Sequence, residues 1–367
     1  MAGVKKYYPY EPDYAVAPGE TLRDTLEALN MTQAELAVRT GLSPRMVNQI
    51  ISGVERISFD TAFKLEMATG VPASLWNKLE SNYRERRARL EDRERQRQDA
   101  DWLRRLPIAE LKALGLVKSD SRDKAAVLQE VLAFFGVTSV SAWHELWVQK
   151  HIAARQSRGS KCRLEAVATW IRLGEIAAYV QTKRDAAGFP VFNRTMFRSA
   201  LTPIRAMTAS KLDNFSDQVC ELCRKCGLVV VYVREIRGAP LFGASWWRGE
   251  TPVIQLNLRY KTDDQFWFSF FHEAGHVLND GRKAVFVNYG KDDNPLEIAA
   301  NRFAGDFLIP PRYVSELKAL GPSTERVLDF ARRVGIAPGI VVGRMQREDW
   351  LPYSHLNRLK DRFEWKQ

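Results

Sequence analysis

From Gly19 onward, apolar residues recur at intervals of three and four, and Pro, Gly and Ser divide the pattern into short helices. Glu20–Leu29 is the first. Thr32-Gln-Ala-Glu35 has the spacing of a capping box and leads Glu35–Thr40 into Gly41. Ser43-Pro44 then opens Pro44–Ser52, with Ser as cap and Pro at the first helical position. Two short helices joined by a glycine-bearing turn predict a helix-turn-helix, whose second helix enters a DNA major groove. Residues 1–17, with Tyr7, Tyr8, Tyr10 and Tyr14 among prolines, predict an arm. The helix that holds Trp76 and Leu79 runs on into Arg84–Arg105, which carries nine arginines and six acids. That stretch reads as a solvated helical connector whose net positive charge can also add phosphate contacts.

Helical spacing continues through Ile108–Ala113, Lys124–Phe135, Ala142–Gln156, Arg163–Thr182 and Arg194–Met207. Trp143, Trp147 and Trp170 fall at core or groove positions, and His144 and His151 have no acidic company that suits a metal, so this region carries no assignable chemistry. Period-two and β-branched runs appear later, at Leu228–Val233, Gly243–Trp247 and Val253–Leu258, and predict a small three-stranded sheet. Its open edge can hold an extended substrate backbone, with Trp246, Trp247 and Arg248 lining that edge or filling the core. Near the C-terminus, Ala331–Val341 echoes Ala37–Val47. Gly339 and Val341-Val342-Gly343 replace the polar side chains that a DNA reader needs, so the second copy predicts the same helical turn used for packing.

After the strands, Thr262-Asp-Asp-Gln265 predicts a capping box, Phe266–Phe271 the body of a helix and Asn279-Asp-Gly281 its end. His272-Glu-Ala-Gly-His276 therefore lies within a helix, which puts both imidazoles on one face one turn apart. Two neutral imidazoles at i and i+4 can grip one Zn2+ ion, while Glu273 serves as general base toward a water in the open position. With five histidines in 367 residues, chance rarely produces this spacing. A hydrolytic zinc needs a third protein ligand, and Asp280, Asp292, Asp293, Glu297 and Asp306 are the downstream candidates. Glu297 shares a helical face with Asn301, and Ala300 and Ala304 let that helix approach its neighbour closely. Pattern alone leaves Glu297 open between ligand and helix cap, because Asn294-Pro295 places it at a capping-box position.

His272-Glu-Ala-Gly-His276, followed by Glu297-Ile-Ala-Ala-Asn-Arg-Phe-Ala304 and Ile309-Pro310, resembles the ImmA/IrrE family of bacterial metallopeptidases over residues 212–310. The resemblance implies His272, His276 and Glu297 as zinc ligands, Glu273 as catalytic base and Asn301 as a support behind a ligand. Many members carry a second acid where this chain has Ala299. Tyr313 follows the ligand helix closely and is a candidate hydroxyl for the oxyanion. Met31-Thr-Gln-Ala-Glu-Leu-Ala37, Gly41-Leu-Ser-Pro44 and Val47-Asn-Gln-Ile-Ile-Ser-Gly53 are similar to the Cro/repressor-type helix-turn-helix family. Pro18-Gly19-Glu20 and Val71–Trp76 point to its plasmid-maintenance antidote branch, over residues 18–80. That resemblance implies base-edge contacts from Ser43, Arg45, Met46 and Gln49, and phosphate contacts from Gln33 and Arg56.

Composition adds limits. No apolar run approaches a membrane span and the N-terminus lacks a signal-peptide core, so a soluble cytoplasmic protein with no membrane partner is expected. Cys162, Cys220, Cys223 and Cys226 suit a reducing compartment; the trio lies on an amphipathic helix and reads as thiols rather than a second metal site. The net charge of +11 implies an anionic partner, yet residues 1–82 hold eight Lys/Arg against ten Asp/Glu. The expected architecture is multidomain and mainly α: arm 1–17, helix-turn-helix domain 18–82, charged linker 83–105, helical region 106–211 and an α+β zinc-peptidase-like domain 212–367. The expected function is a DNA-binding regulator, a homodimer on a double-stranded operator, that cleaves a repressor or antitoxin-type protein with zinc. The competing reading is an antitoxin or repressor that holds a toxin and silences its own operon, with a non-catalytic metal site.

Overall fold

The computed structural model describes residues 13–149, 162–183, 188–210, 214–280, 286–288 and 295–365. They fall into two compact units, divided after Ala100.

The first unit contains α1 (Pro18–Ala28), α2 (Gln33–Thr40), α3 (Pro44–Ile51), α4 (Phe59–Thr69) and α5 (Ala73–Asp99). The Thr32 hydroxyl accepts the Glu35 N–H and the Ser43 hydroxyl accepts the Met46 N–H, which supplies partners for helix-start donors as the sequence predicts. Glu35 does not return the bond; its carboxylate turns along the helix to Arg39 at 2.6 Å. Gly41 ends α2 in the left-handed region, at φ 67°. Leu22, Leu36, Val47, Ile50, Leu65 and Trp76 form the core. The Pro-Gly start of α1 has a steric reason: a Cβ on Gly19 would lie 2.2 Å from the Ile51 carbonyl oxygen, so only glycine lets α1 meet the end of α3.

The second unit is built around one mixed sheet. It contains α6 (Ile108–Ala113), α7 (Lys124–Phe135), α8 (Val140–Gln149), α9 (Leu164–Lys183), α10 (Arg194–Met207), α11 (Phe215–Lys225), β1 (Val229–Tyr232), β2 (Gly243–Arg248), β3 (Thr251–Leu256), α12 (Asp263–Asn279), β4 (Phe286–Asn288), α13 (Pro295–Leu308), α14 (Val314–Ala319), α15 (Thr324–Val334) and α16 (Pro338–Arg347). The strand order is β1-β3-β2-β4, with β1 parallel to β3 and the other pairs antiparallel. The fourth strand, which the sequence reading lacks, pairs with Gly243–Ser245 and takes that stretch of β2 off the edge. Trp246 is buried and Trp247 packs against Phe192, so these rings serve the core rather than an open edge.

Side-chain alternation gives the sheet two covered faces. Val230, Ile254 and Leu256 join a core with α12, α13, α15 and α16, while Val229, Val231, Val253, Ala244 and Trp246 join a second core with α7, α8 and α9. Gln255 fastens the second face: its amide donates to the Trp170 carbonyl at 2.7 Å, and a Cβ on Gly174 would lie 1.9 Å from its oxygen. Trp143, Trp147 and Trp170 are all core residues. His144 stacks edge-on against Trp143, and His151 lies outside the described residues. Lys124–Trp147 has the length and hydropathy of a membrane span, contrary to the reading from apolar runs. Its helix breaks at Gly136, and Trp143 and Trp147 are buried within the unit.

The internal echo keeps its geometry. Gly335 ends α15 with φ 74°, and Pro338 opens α16 as Pro44 opens α3. Val341 and Val342 are fully buried, which leaves this copy to packing.

Candidate metal centre

α12 is buried nearly all round, against β2, β3, α13 and α16. Its start differs from the expected capping box. The Thr262 side chain makes no capping bond, because its backbone is held in a bridge with Arg362; the Asp263 carboxylate instead accepts the Asp264 N–H at 2.8 Å. Where α12 crosses α13, Gly275 faces the Ala300 backbone at 3.3 Å from its would-be Cβ, and buried Ala300 and Ala304 permit this approach.

That crossing brings His272, His276 and Glu297 together. Their ligand atoms all lie within 4.8 Å of one another, and all three side chains are buried. His272 Nε2 is 3.1 Å from Glu297 Oε2 and 3.1 Å from His276 Nε2, which is 3.4 Å from Glu297 Oε1. The carboxylate of Glu297 thus faces both imidazoles, as a ligand does. Asn294, the proposed helix cap, lies outside the described residues, as do the ligand candidates Asp292 and Asp293. Asp306 lies 3.5 Å from Arg302, and Asp280 serves otherwise.

The outer ring nitrogens explain why a cation fits. His272 Nδ1 meets Asn301 Oδ1 at 3.0 Å, the support expected of Asn301, and His276 Nδ1 meets Asp280 Oδ2 at 2.6 Å. Each of those oxygens can accept, so each Nδ1 is placed to donate, and in the metal-ligating form each ring presents its Nε2 lone pair to the other two ligands. Two lone pairs and a carboxylate oxygen then point at one another, an arrangement that a divalent cation satisfies. Two nitrogens and one oxygen form a set that suits zinc. Burial opposes ionisation of Glu297, but hydrogen bonds and charge from the two histidines outweigh it and hold its carboxyl at about 2. For His276, burial lowers the proton affinity, yet Glu297, Glu273 and Asp280 together raise it above the ordinary value. Asp280, the extended residue that ends α12, is thus the partner of the outer nitrogen of His276, a role that sequence reasoning missed.

Glu273 is fully buried against the sheet, with its Oε1 3.0 Å from where a Cβ on Gly243 would sit. Burial raises its carboxyl above the ordinary value, and Ser245 and the two histidines only partly offset this. A carboxylate that readily takes a proton is what a general base requires. Gly243 and Ser245, on β2, are site residues that sequence reasoning missed; they come from a strand almost thirty residues away with no motif of their own. Tyr313 is not brought to the triad by any contact among the described residues. Its ring meets Phe330 edge-on at 6.1 Å and lies under Arg312.

No second cluster of metal-ligating side chains is gathered among the described residues. Burial pushes Cys220 up to about 11 and Cys223 well above its ordinary value, so both remain thiols.

On the helix-turn-helix, Gln33, Ser43, Arg45 and Arg56 are exposed and Gln49 is half-buried. Ser43 also caps α3, and Met46 packs partly against the core, which leaves Arg45 and Gln49 as the longer polar side chains presented by that helix. Asn48, also exposed on α3, was not among the expected contacts.

Comparisons with known proteins agree with both ends of the chain. Residues 22–76 match the helix-turn-helix family, and residues 229–346 match the peptidase family described as the IrrE N-terminal-like domain. Among solved structures, an addiction module antidote protein of a HigA (higA) family from Coxiella burnetii is 29% identical over 20% of this chain and 82% of that chain, with a TM-score of 0.20. No curated protein matches.

Proposed function

From a helix-turn-helix DNA-binding domain and an IrrE-type peptidase-like domain in one chain, we propose a cytoplasmic DNA-binding regulator that is also a zinc-dependent endopeptidase. The observation that carries the enzymatic half is the convergence of His272, His276 and Glu297 beside a buried, proton-hungry Glu273. When bound, zinc supplies a Lewis acid that polarises a peptide carbonyl and makes water more acidic. Glu273 takes the proton from the attacking water and returns it to the leaving amine as the C–N bond breaks. Asn301 and Asp280 fix the two imidazoles in the tautomer and orientation that this requires. The substrate in this reading is a repressor or antitoxin-type protein, and the DNA target is a double-stranded operator bound by a homodimer. Phe59, Phe63 and Met67, exposed at spacing four along α4, support a surface where two copies meet.

The test is Glu273→Gln in the full chain. The variant should keep its zinc content and melting temperature while cleavage of the regulated protein falls by at least about 100-fold. Unchanged regulation in cells that carry this variant would remove the peptidase from the function.

A second reading has an observation in its favour: all four side chains of the site are buried, as in a structural metal site. In it the chain is a repressor or antitoxin that silences its own operon and the metal does not turn over. A closed four-coordinate shell in zinc absorption spectra would decide for it.

A further inference from the structure

Behind the metal centre lies a cavity of about 170 Å³ between α12, α13 and α16. Asn301 forms part of its wall and bonds the Nδ1 of His272, the ring edge that faces away from Nε2 and Glu297. None of His272, Glu273, His276 and Glu297 lines the cavity, which meets the metal centre through Asn301.

Its chemistry is uneven. Phe268, Leu308 and Ile340 provide apolar walls, and Arg344 and Arg347 enter from α16. Of the acids nearby, Asp264 is paired through Oδ2 with Lys360 at 2.7 Å and Glu348 with Arg344 at 2.8 Å. Arg347 has no carboxylate within 4.0 Å among the described residues; its guanidinium lies over the Phe268 ring at 4.0 Å from the centroid. Arg344 reaches the cavity only because α13 carries Gly305, where a Cβ would sit 2.2 Å from Nη1. Two guanidinium groups beside an aromatic floor, with one carboxylate between them, leave positive charge to be answered. A cavity of about 150 Å³ holds a benzene ring, so the volume suits one ring and its substituent.

We propose that this cavity is a binding site for a small carboxylate with a planar apolar body, its ring against Phe268 and its carboxylate on Arg347 and Arg344. The volume favours a small ligand, and the surplus guanidinium charge disfavours a neutral one.

Isothermal titration of the full zinc-loaded chain with benzoate tests this, with benzamide and inorganic phosphate as controls. Benzoate should fill one site, and both controls should bind at least about tenfold more weakly, since one lacks the charge and the other the ring. Arg347→Gln should weaken benzoate by about tenfold or more with zinc content unchanged. Gly305→Ala, which moves only the flexible end of Arg344, should weaken it in the same direction and serves if Arg347→Gln fails to fold. No saturable benzoate binding at millimolar concentration would overturn the proposal. So would equal binding of benzamide or phosphate, or undiminished binding by a folded variant.

Discussion

Each histidine of the triad is held from behind by a single oxygen, and those two oxygens differ in charge. Asp280 gives His276 a carboxylate at 2.6 Å, whereas Asn301 gives His272 a neutral amide at 3.0 Å. Removing either frees the ring to rotate or change tautomer, so Asp280→Ala and Asn301→Ala should each weaken zinc by roughly 10- to 100-fold. Competition against a chromophoric chelator measures this directly, and the Asp280 variant should lose more because it also loses charge. An affinity equal to that of the parent would mean that packing alone orients the imidazoles. The two histidines were legible from helical spacing, whereas Glu297 was singled out only by the family resemblance, because its position also suits a helix cap. Asp280 was visible as an acid but not as a partner of Nδ1, since spacing does not say which ring nitrogen faces which group. Tyr313 was selected for proximity in sequence, and folding carried its ring to Phe330 instead.

The elements around the site explain residues that pattern alone could not. The glycines of α16 were recognised as unsuited to reading DNA, but their purpose lies on another helix: a Cβ on Gly339 would sit 2.2 Å from Asp263, and one on Gly343 would sit 2.4 Å from Asp264. α16 thus makes room for two buried acids at the start of α12. Burial, with the charge of Asp264 added, pushes Asp263 up to about 7. The unfolded chain releases this proton near the ordinary carboxylate value of about 4, so the fold holds the proton more tightly. Stability from this group is complete below about pH 4, declines as pH rises toward 7 and is level above that. Asp263→Asn should remove the decline. Its stability relative to the parent should improve between pH 4 and 8, by at most about 4 kcal/mol, as measured by denaturant unfolding at each pH. A parallel pH profile for the two proteins would show that Asp263 is ionised in the fold. Helix boundaries such as Lys124–Phe135 and Arg194–Met207 were readable because capping side chains, Asp123 and Asn193, precede them and Gly136 ends the first. β4 was not, since three residues are too few to show a period.

Across the whole molecule, charge and recognition are divided. Residues 1–100 hold fifteen Lys/Arg and fifteen Asp/Glu, so the entire excess of +11 belongs to the second unit. A reader without net charge depends on its few placed side chains, while a basic unit elsewhere in the chain attracts any duplex. Arg45→Ala with Gln49→Ala should therefore remove preference for a selected operator yet leave binding to random DNA, and its salt dependence, nearly unchanged. Fluorescence anisotropy at two salt concentrations separates the effects, and equal loss on both duplexes would exclude base reading by these residues. The sheet has a separate consequence. Because Val229, Val231, Ala244, Trp246 and Val253 are covered by helices from residues 101–183, a fragment that begins at residue 212 should bind hydrophobic dye and aggregate. The family segment 229–346 is then only part of a self-sufficient cassette: any exchange of this domain between genes would have to carry the preceding helices with it, or leave an oily floor without its carpet.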